Sequence, residues 1–169
     1  TTTLRAIAGF EPVHEGEISL AGEVISKAGF TLAPEKRRIG MVPQEVAIYD
    51  ELTVRENIDS FCALYVDDKR RRRKLVDEAI EFVDLGDFEK FRPKKLSGGL
   101  KRRLTNACGI AHRPKLIFLD EPTVAVDAQS RNFILEGIRR LNREGATILY
   151  TTHYLEEAEN LCTRIVIMD

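Results

Sequence analysis

Hydrophobic residues recur along this chain with two different periods, and the changes of period mark the predicted elements. Near the start the spacing is helical as far as Ala8, and Gly9 is placed to end that helix. Two short alternating segments follow, the first interrupted by an Ala-Gly pair typical of a tight turn and the second ending at Pro43. The first part of the chain is therefore predicted to hold a helix end at 1–8, a hairpin at 16–25 and a short strand at 37–44.

The middle of the chain has helical periodicity throughout. Thr53 and Glu56 have the spacing of a capping box, and apolar residues follow them on one helix face. Gly86 is placed to end the second helix, and Ser97 is placed to cap the third. The pattern predicts helices at 53–65, from 68 to about 85 and from 97 to about 111.

Near-continuous apolar runs alternate with helical patterns in the last third. Runs of this kind, separated by helices, are typical of parallel strands that are covered on both faces. Strands are predicted at 115–120, 146–152 and 164–168, with helices from Asp127 onward and around 154–161. The predicted fold class is α/β, with a mostly parallel sheet, flanking helices and a small antiparallel β portion.

Composition narrows the class of protein. The chain has 169 residues, of which 43% are hydrophobic, as expected for one globular domain. The formal net charge of -1 gives no overall positive field for nucleic acid. The three widely spaced cysteines favour buried thiols in a reducing compartment over disulfides or a zinc site. No apolar run approaches the roughly 18 residues of a membrane span, so we expect any membrane association to come through a partner.

Two glycines open the helix that follows Ser97, although each glycine costs roughly 1 kcal/mol against alanine within a helix. One interpretation is phosphate binding, because glycines at a helix N-terminus let backbone N–H groups approach an anion closely. The other is a plain serine-capped helix with a flexible entry. Ser97, Gly98 and Gly99 are therefore a candidate phosphate site that needs support from other motifs.

Two adjacent carboxylates, Asp120 and Glu121, follow an apolar strand, at the edge where open α/β sheets bind ligands. Neighbouring strand residues point in opposite directions, so Asp120 suits Mg²⁺, usually through water, and Glu121 suits polarisation of an attacking water. His153 follows the next strand and is a candidate to contact a γ-phosphate or to orient a water. The alternatives are an acidic turn for the carboxylates and a surface or helix-capping role for the histidine.

Six consecutive basic residues, at 69–74, raise the question of nucleic-acid binding. Their charges surround the helix instead of forming one stripe, and Asp77, Glu78 and Glu81 follow within two turns. We expect a solvated surface here. Contact with anionic lipid or with an acidic loop of a partner is the alternative.

The order of these motifs resembles that of the ATP-binding cassette (ABC) ATPases over nearly the whole chain. The stretches LSGGLKRRL and EPTVAVDAQSR are similar to the type 2 exporter branch, which includes drug and antibiotic efflux systems. The resemblance implies that Gln44 is the Q-loop glutamine, which binds Mg²⁺, and that Ser97, Gly98 and Gly99 belong to the signature motif, which binds ATP in trans. It implies that Asp120 is the Walker B aspartate and that Glu121 is the catalytic glutamate. Asp127 is then the D-loop aspartate, and His153 is the switch histidine.

The resemblance also implies that a phosphate loop of glycines and a lysine directly precedes Thr1. Thr1 is then expected to bind Mg²⁺, and Thr2 to lie against the phosphates. The implied fold is a P-loop NTPase-type domain, truncated at both ends, that is expected to be inactive alone. Its α/β core with the β portion is expected at 1–49 and 112–169, and its inserted helical subdomain, which carries the signature motif, at 50–111.

The implied function is binding and hydrolysis of ATP, with ATP and Mg²⁺ as cofactors, in an ABC transporter that is an exporter. The implied partners are a second ABC domain, paired head to tail, and an integral membrane permease, with no nucleic acid. The chain is expected in the cytoplasm, peripheral on the inner face of the cell membrane. A soluble non-transport ABC ATPase and a non-catalytic interaction module stay open as alternatives.

Overall fold

The architecture comes from a computed structural model that describes residues 2–45 and 47–167. The chain divides into two units, with the boundary between Ile39 and Gly40. Thr1, Val46, Met168 and Asp169 lie outside the described residues. The role expected for Thr1 in binding Mg²⁺ therefore stays a prediction.

The first unit contains a short helix and an antiparallel sheet. The predicted helix end is confirmed, and Gly9 follows it with a φ of 94°, a left-handed conformation that glycine adopts at low cost. The predicted hairpin is also confirmed, with Ala21 and Gly22 both at positive φ in its turn. The elements are α1 (Thr2–Ala8), β1 (Glu17–Leu20), β2 (Glu23–Lys27), β3 (Phe30–Thr31) and α2 (Pro34–Arg37), and the sheet order is β1-β2-β3.

A buried arginine holds the first unit together. The guanidinium of Arg37 donates hydrogen bonds to four backbone carbonyls and to one serine hydroxyl, and the acceptors are Ala6, Ile7, Ile25, Leu32 and Ser26. The carbonyls at the end of α1 have no partner within that helix. Arg37 therefore satisfies the helix end and joins it to the sheet.

The second unit is built on a three-stranded sheet of order β4-β5-β6, in which only Ile39 lies on the other side of the unit boundary. Its strands are β4 (Ile39–Val42), β5 (Leu116–Asp120) and β6 (Thr147–Thr151). The pair β5 and β6 is parallel, in a register that runs from Leu116 opposite Thr147 to Asp120 opposite Thr151. The predicted α/β class is thus confirmed, and the carboxyl ends of these two strands meet at one edge.

Among the described residues, five α-helices complete the second unit: α3 (Val54–Ala63), α4 (Lys69–Phe82), α5 (Gly98–Ile110), α6 (Ala128–Arg143) and α7 (Leu155–Leu161). The capping box of Thr53 and Glu56 is present as predicted, with both hydrogen bonds made. Ser97 and Asp127 cap α5 and α6. One apolar core lies among α3, α4 and α5, and a second lies between the sheet and α6.

Two sequence predictions were wrong. The helix predicted to reach Leu85 ends at Phe82, because Asp84 adopts a left-handed φ of 54° and turns the chain before Gly86, which instead begins a 3₁₀ turn. The strand predicted at 164–168 is absent over 164–167, where the side chains are mostly exposed. An apolar run forms a strand only beside a neighbour that completes its hydrogen bonds, and no described strand pairs with it.

The polar surface and the thiols follow the expected pattern in most places. Five of the six basic residues at 69–74 are exposed, and the sixth, Arg72, donates to Asp59 at 3.0 Å. Cys62 and Cys108 are buried, and burial raises the pKa of the Cys62 thiol to about 11, whereas Cys162 is half-buried. Within the described ranges, no helix has the length and the apolar character needed to cross a membrane.

Candidate functional site

The carboxylate of Asp120 is held at the carboxyl end of β5. Asp120 is buried, and its register partner Thr151 donates its hydroxyl to Oδ1 at 2.6 Å. The parallel register of β5 and β6 places these two residues side by side at the ends of their strands. The hydrogen bond fixes the orientation of the Asp120 carboxylate.

Glu121 follows with an unusual backbone conformation. Its φ of 49° lies in the left-handed region, which costs a residue with a Cβ about 1–3 kcal/mol. Hydrogen bonds on both sides hold it there, because the N–H donates to the carbonyl of Thr151 at 3.1 Å and the carbonyl accepts from the N–H of Val124 at 3.2 Å. This conformation makes the chain turn sharply between Asp120 and Pro122.

His153 lies beside the Glu121 side chain. Nδ1 of the imidazole is 3.0 Å from Oε2 of Glu121, a distance at which a protonated ring and the carboxylate attract each other. The two atoms are not aligned for a hydrogen bond, so Oε2 is buried without a hydrogen-bond partner in the described structure. Oε2 of Glu121 is therefore a hydrogen-bond acceptor that no described residue uses.

A buried arginine on α5 donates hydrogen bonds to the backbone of both acidic residues. Arg102 is 2% exposed, and its guanidinium donates to the backbone carbonyls of five residues, at 2.7 to 3.1 Å: Pro43, Gln44, Asp120, Glu121 and Pro122. Burial lowers the pKa of Arg102 to about 10, so the group is still charged at neutral pH. Sequence reasoning missed this residue. The available signal was its spacing from Thr105 and Gly109, which predicts a second face of α5 that packs closely.

Gln44 reaches this region through its backbone. Its carbonyl accepts from Arg102 at 2.9 Å, and its side chain is exposed just after β4. Of the predicted site residues, the structure therefore brings Gln44, Asp120, Glu121 and His153 to one edge of the sheet.

The two glycines of the signature stretch have different surroundings. Gly98 is exposed, and a Cβ placed on it would meet open space. A Cβ on Gly99 would overlap Oγ of Ser130 and lie 2.9 Å from Oδ2 of Asp127. Close packing of α5 on the start of α6 thus accounts for Gly99. Open space at Gly98, beside the exposed Ser97, leaves this position available for an anion.

Asp127 has a structural partner of its own. Its carboxylate accepts from the N–H and the hydroxyl of Ser130, at 2.8 and 2.9 Å. These hydrogen bonds lower the pKa of Asp127, and they make it the N-cap of α6. In the described structure, no hydrogen bond joins Asp127 or Ser97 to Asp120, Glu121 or His153.

A second buried carboxylate, that of Glu157, contacts the loop after Glu121 and the strand β6. Glu157 of α7 accepts from the hydroxyls of Thr123, Tyr150 and Thr152, and Nε of Arg131 lies 3.4 Å from it. Burial, and then the hydrogen bond to Glu157, raises the pKa of Tyr150. We call Thr123, Tyr150, Thr152 and Glu157 the Glu157 cluster. It connects the loop after Glu121 to both sides of His153, and sequence reasoning missed it.

The donor set at the sheet edge suits one kind of metal ion. In the described ranges, no group of three His, Cys, Asp or Glu side chains could hold a metal ion. Mg²⁺ does not need such a group, since one or two carboxylates with phosphate oxygens and waters complete its coordination. Asp120, and the Gln44 amide oxygen, are ligands of the hard, oxygen type that Mg²⁺ prefers.

The sequence of this chain is similar to one protein family and to members of it with known names. The family model described as ABC transporter matches residues 1–124. The chain is 42% identical over 169 residues to the linearmycin resistance ATP-binding protein LnrL of Bacillus subtilis (strain 168), covering 100% of this chain and 53% of that protein. It is 39% identical over 170 residues to the Nod factor export ATP-binding protein I of Burkholderia orbicola (strain AU 1054), covering 100% of this chain and 55% of that protein. The chain thus spans about half the length of the curated relatives it matches.

A solved structure gives the same answer. The dimeric, post-hydrolysis structure of the ATP-binding cassette MJ0796 bound to ADP and Pi superimposes with a TM-score of 0.82 and 27% sequence identity. The match covers 93% of this chain and 71% of that chain. Together with the sequence matches, it leads to one conclusion: the chain belongs to the ABC transporter family.

Proposed function

We propose that this chain is part of the ATP-binding and ATP-hydrolysing subunit of an ABC exporter. The observation that carries the proposal is the placement of Glu121, which has a buried, unbonded carboxylate oxygen at the end of β5, between Asp120 and His153. A carboxylate in this position can accept a proton from a water that attacks a phosphate.

The proposed roles of Asp120, Gln44 and His153 are supported by their positions at the sheet edge, whereas those of Thr1 and Thr2 rest on the family resemblance alone. Asp120, oriented by Thr151, and Gln44 would hold Mg²⁺ together with Thr1, and Thr2 would lie against the phosphates. When bound, Mg²⁺ neutralises charge on the phosphate oxygens. His153 would contact the γ-phosphate while it keeps the Glu121 carboxylate in place.

A second ABC domain is part of the proposal. Ser97 and Gly98 are exposed and have no hydrogen bond to the described carboxylate site of their own chain, so they suit an ATP held by a partner. In a head-to-tail pair, the N-terminus of α5 would face the γ-phosphate of the opposite site, where its unpaired N–H groups favour negative charge. Asp127 would then connect the two sites through the start of α6.

Transport is favoured over the other functions by the names of the relatives, which refer to linearmycin resistance and Nod factor export. We infer that hydrolysis drives export through an integral membrane permease, which would hold the subunit at the inner face of the cell membrane. The presence of Asp120, Glu121 and His153 together at one sheet edge supports hydrolysis over a non-catalytic interaction module.

The test is steady-state hydrolysis of Mg-ATP by the whole protein and by its Glu121→Gln variant. We expect the variant to bind ATP normally and to turn over at least about 100-fold more slowly, as for loss of a general base. Glu156→Gln is the matched control, because Glu156 is an exposed carboxylate close in sequence to His153. Turnover within a few-fold of wild type in Glu121→Gln would refute the proposed role of Glu121.

A further inference from the structure

Arg102 uses every N–H group of its guanidinium on the backbone of two loops. Nη1 donates to the carbonyls of Pro43 and Gln44, at 2.7 and 2.9 Å. Nη2 donates to Asp120 and Glu121, at 3.1 and 2.9 Å, and Nε donates to Pro122 at 2.9 Å. A guanidinium has five N–H donors in a fixed planar fork, so this geometry fixes the two loops relative to each other.

The partners of Arg102 are unusual for a buried cation. Arg102 has no ion pair within 4.0 Å of a carboxylate in the described structure, although the charges of Asp120 and Glu121 oppose the fall of its pKa, and all five acceptors are neutral backbone carbonyls. A buried charge without a counterion is costly unless its hydrogen bonds are complete. The five hydrogen bonds of Arg102 therefore require the five carbonyls to point at the guanidinium, and they oppose any movement of the backbone that would turn those carbonyls away.

Anchoring of helix α5 does not depend on Arg102 alone. Gly109 of α5 already packs so closely on β4 that a Cβ there would lie 2.6 Å from Cγ2 of Val42 and 2.9 Å from the carbonyl of Met41. The helix is therefore fixed to the sheet two turns away from Arg102. What the guanidinium adds is control over the loops that leave β4 and β5.

We propose that Arg102 is a positioning residue that aligns the Gln44 loop and the Glu121 turn with the start of α5. The inference rests on the proposed function, because the positions of Gln44 and Glu121 matter for activity only if these residues act in ATP hydrolysis. It adds a connection within one chain: the guanidinium joins the residues that act on the chain's own ATP to the helix whose N-terminus would serve the partner's ATP. Displacement of the Gln44 loop or of the Glu121 turn would therefore also move the start of α5, which is proposed to contact the partner's ATP.

The neighbouring Arg103 offers a matched control. It is also buried and lies on the same helix, but its guanidinium stacks over the Phe133 ring at 4.0 Å and lies 3.6 Å from Asp84. It has no hydrogen bond to either loop within the described residues. Arg102→Lys and Arg103→Lys both keep the charge and remove the fork, so general damage to α5 should affect both variants equally.

The first readout is ATP hydrolysis by the whole protein. For Arg102→Lys we expect kcat to fall about 10- to 100-fold, the scale for a misplaced catalytic group, with the KM for ATP changed by less than about 3-fold. Arg103→Lys should keep both parameters within about 3-fold of wild type. If Arg102→Lys does not fold, Arg102→Gln, which is neutral and donates fewer hydrogen bonds, should show the same split. An unchanged kcat in a folded Arg102 variant would overturn the inference.

The second readout needs no nucleotide, and it separates this inference from the proposed function. Amide hydrogen exchange of the segment 121–124, where Val124 donates to the Glu121 carbonyl, should be at least about 10-fold faster in Arg102→Lys and unchanged in Arg103→Lys. Equal acceleration in both variants, or none in Arg102→Lys, would overturn the positioning role. A wild-type protein without ATPase activity would instead refute the proposed function, and the exchange data would still decide whether Arg102 holds the loops.

Discussion

Nδ1 of His153 lies 3.0 Å from Oε2 of Glu121, across the carboxyl ends of two adjacent parallel strands. Glu121 is held by its backbone in a left-handed turn, whereas His153 is 58% exposed at its side chain. The backbone of Glu121 is therefore fixed, its carboxylate is oriented by the contact with His153, and the histidine is the partner that a ligand can reach.

Replacing His153 tests whether its contact with Glu121 is needed for ATP hydrolysis. We expect His153→Ala in the whole protein to lower kcat for ATP hydrolysis at least about 10-fold, because Glu121 loses a contact that orients its carboxylate. ATP binding should change less than kcat. The control is His14→Ala, since His14 is exposed and lies outside this site. Steady-state kinetics with equal losses in both variants would contradict the expectation.

The two glycines at the start of α5 should respond to alanine in opposite ways. Gly99→Ala should lower the free energy of unfolding by about 1–3 kcal/mol, because its Cβ overlaps Oγ of Ser130. Gly98→Ala meets open space and should leave stability unchanged or raise it by up to about 1 kcal/mol, the helix preference of alanine. Urea denaturation measures both.

ATP hydrolysis gives a second test of the role of Gly98. Gly98→Ala should lower ATP hydrolysis, although the fold is intact, because its Cβ occupies the space proposed for the partner's phosphate. A stable and fully active Gly98→Ala variant would remove Gly98 from the proposed anion site.

The Glu157 cluster should contribute to stability through its charge. In Thr123→Val, the buried Glu157 carboxylate loses a hydroxyl that lies 3.0 and 2.9 Å from its two oxygens. We expect a loss of about 1–3 kcal/mol, as for a buried charge left short of a donor. Thr105→Val is the matched control: Thr105 is equally buried, but its hydroxyl donates to a helix carbonyl, that of Lys101, so no charge loses its partner. Similar losses in both variants, measured by urea denaturation, would argue against the cluster.

Acid should destabilise the second unit through His112. Both ring nitrogens of His112 are buried without hydrogen-bond partners in the described structure, and the ring stacks on Tyr65 with centroids 3.7 Å apart. Burial lowers the pKa of His112 to about 4, below the value of about 6.5 expected in the unfolded chain. The stabilisation is therefore complete above about pH 6.5 and is lost as the pH falls toward 4, by up to about 1.4 kcal/mol per pH unit.

The His112 prediction is checked by urea midpoints at pH 7 and pH 5. His112→Phe keeps an aromatic ring against Tyr65 and has no group to protonate, so its midpoint should fall less between the two pH values than that of wild type. The exposed His14, changed to Phe, is the control and should behave as wild type. Identical pH dependence in wild type and His112→Phe would show that another group is responsible.

Local signals in the sequence predicted most of the fold. The capping box at Thr53 and Glu56, the cap at Asp127 and the turn at Ala21 and Gly22 each depend on residues within a few positions of one another. Their chemistry is therefore visible in the sequence. The strand predicted near the end failed because an apolar run does not show whether a neighbouring strand is present.

The candidate site was predictable where motifs are contiguous and unpredictable where partners are distant. Asp120, Glu121 and His153 follow apolar strands, and the parallel sheet brings those strand ends together. Arg102 was missed because its acceptors lie between 18 and 59 residues away and are backbone atoms, which leave no mark in a sequence. Glu157 was missed for a similar reason, since one buried acid in an acidic helix looks like its exposed neighbours.

The unequal burial of the three thiols makes the protein convenient for spectroscopy. Cys62 and Cys108 are buried with raised pKa values, so a thiol-reactive dye should react slowly with them. Cys162 is half-buried at the end of α7, the helix that follows His153, and it is the most accessible of the three. A fluorophore or spin label attached there would report movement around His153 during an ATP cycle, in a chain that keeps its natural sequence.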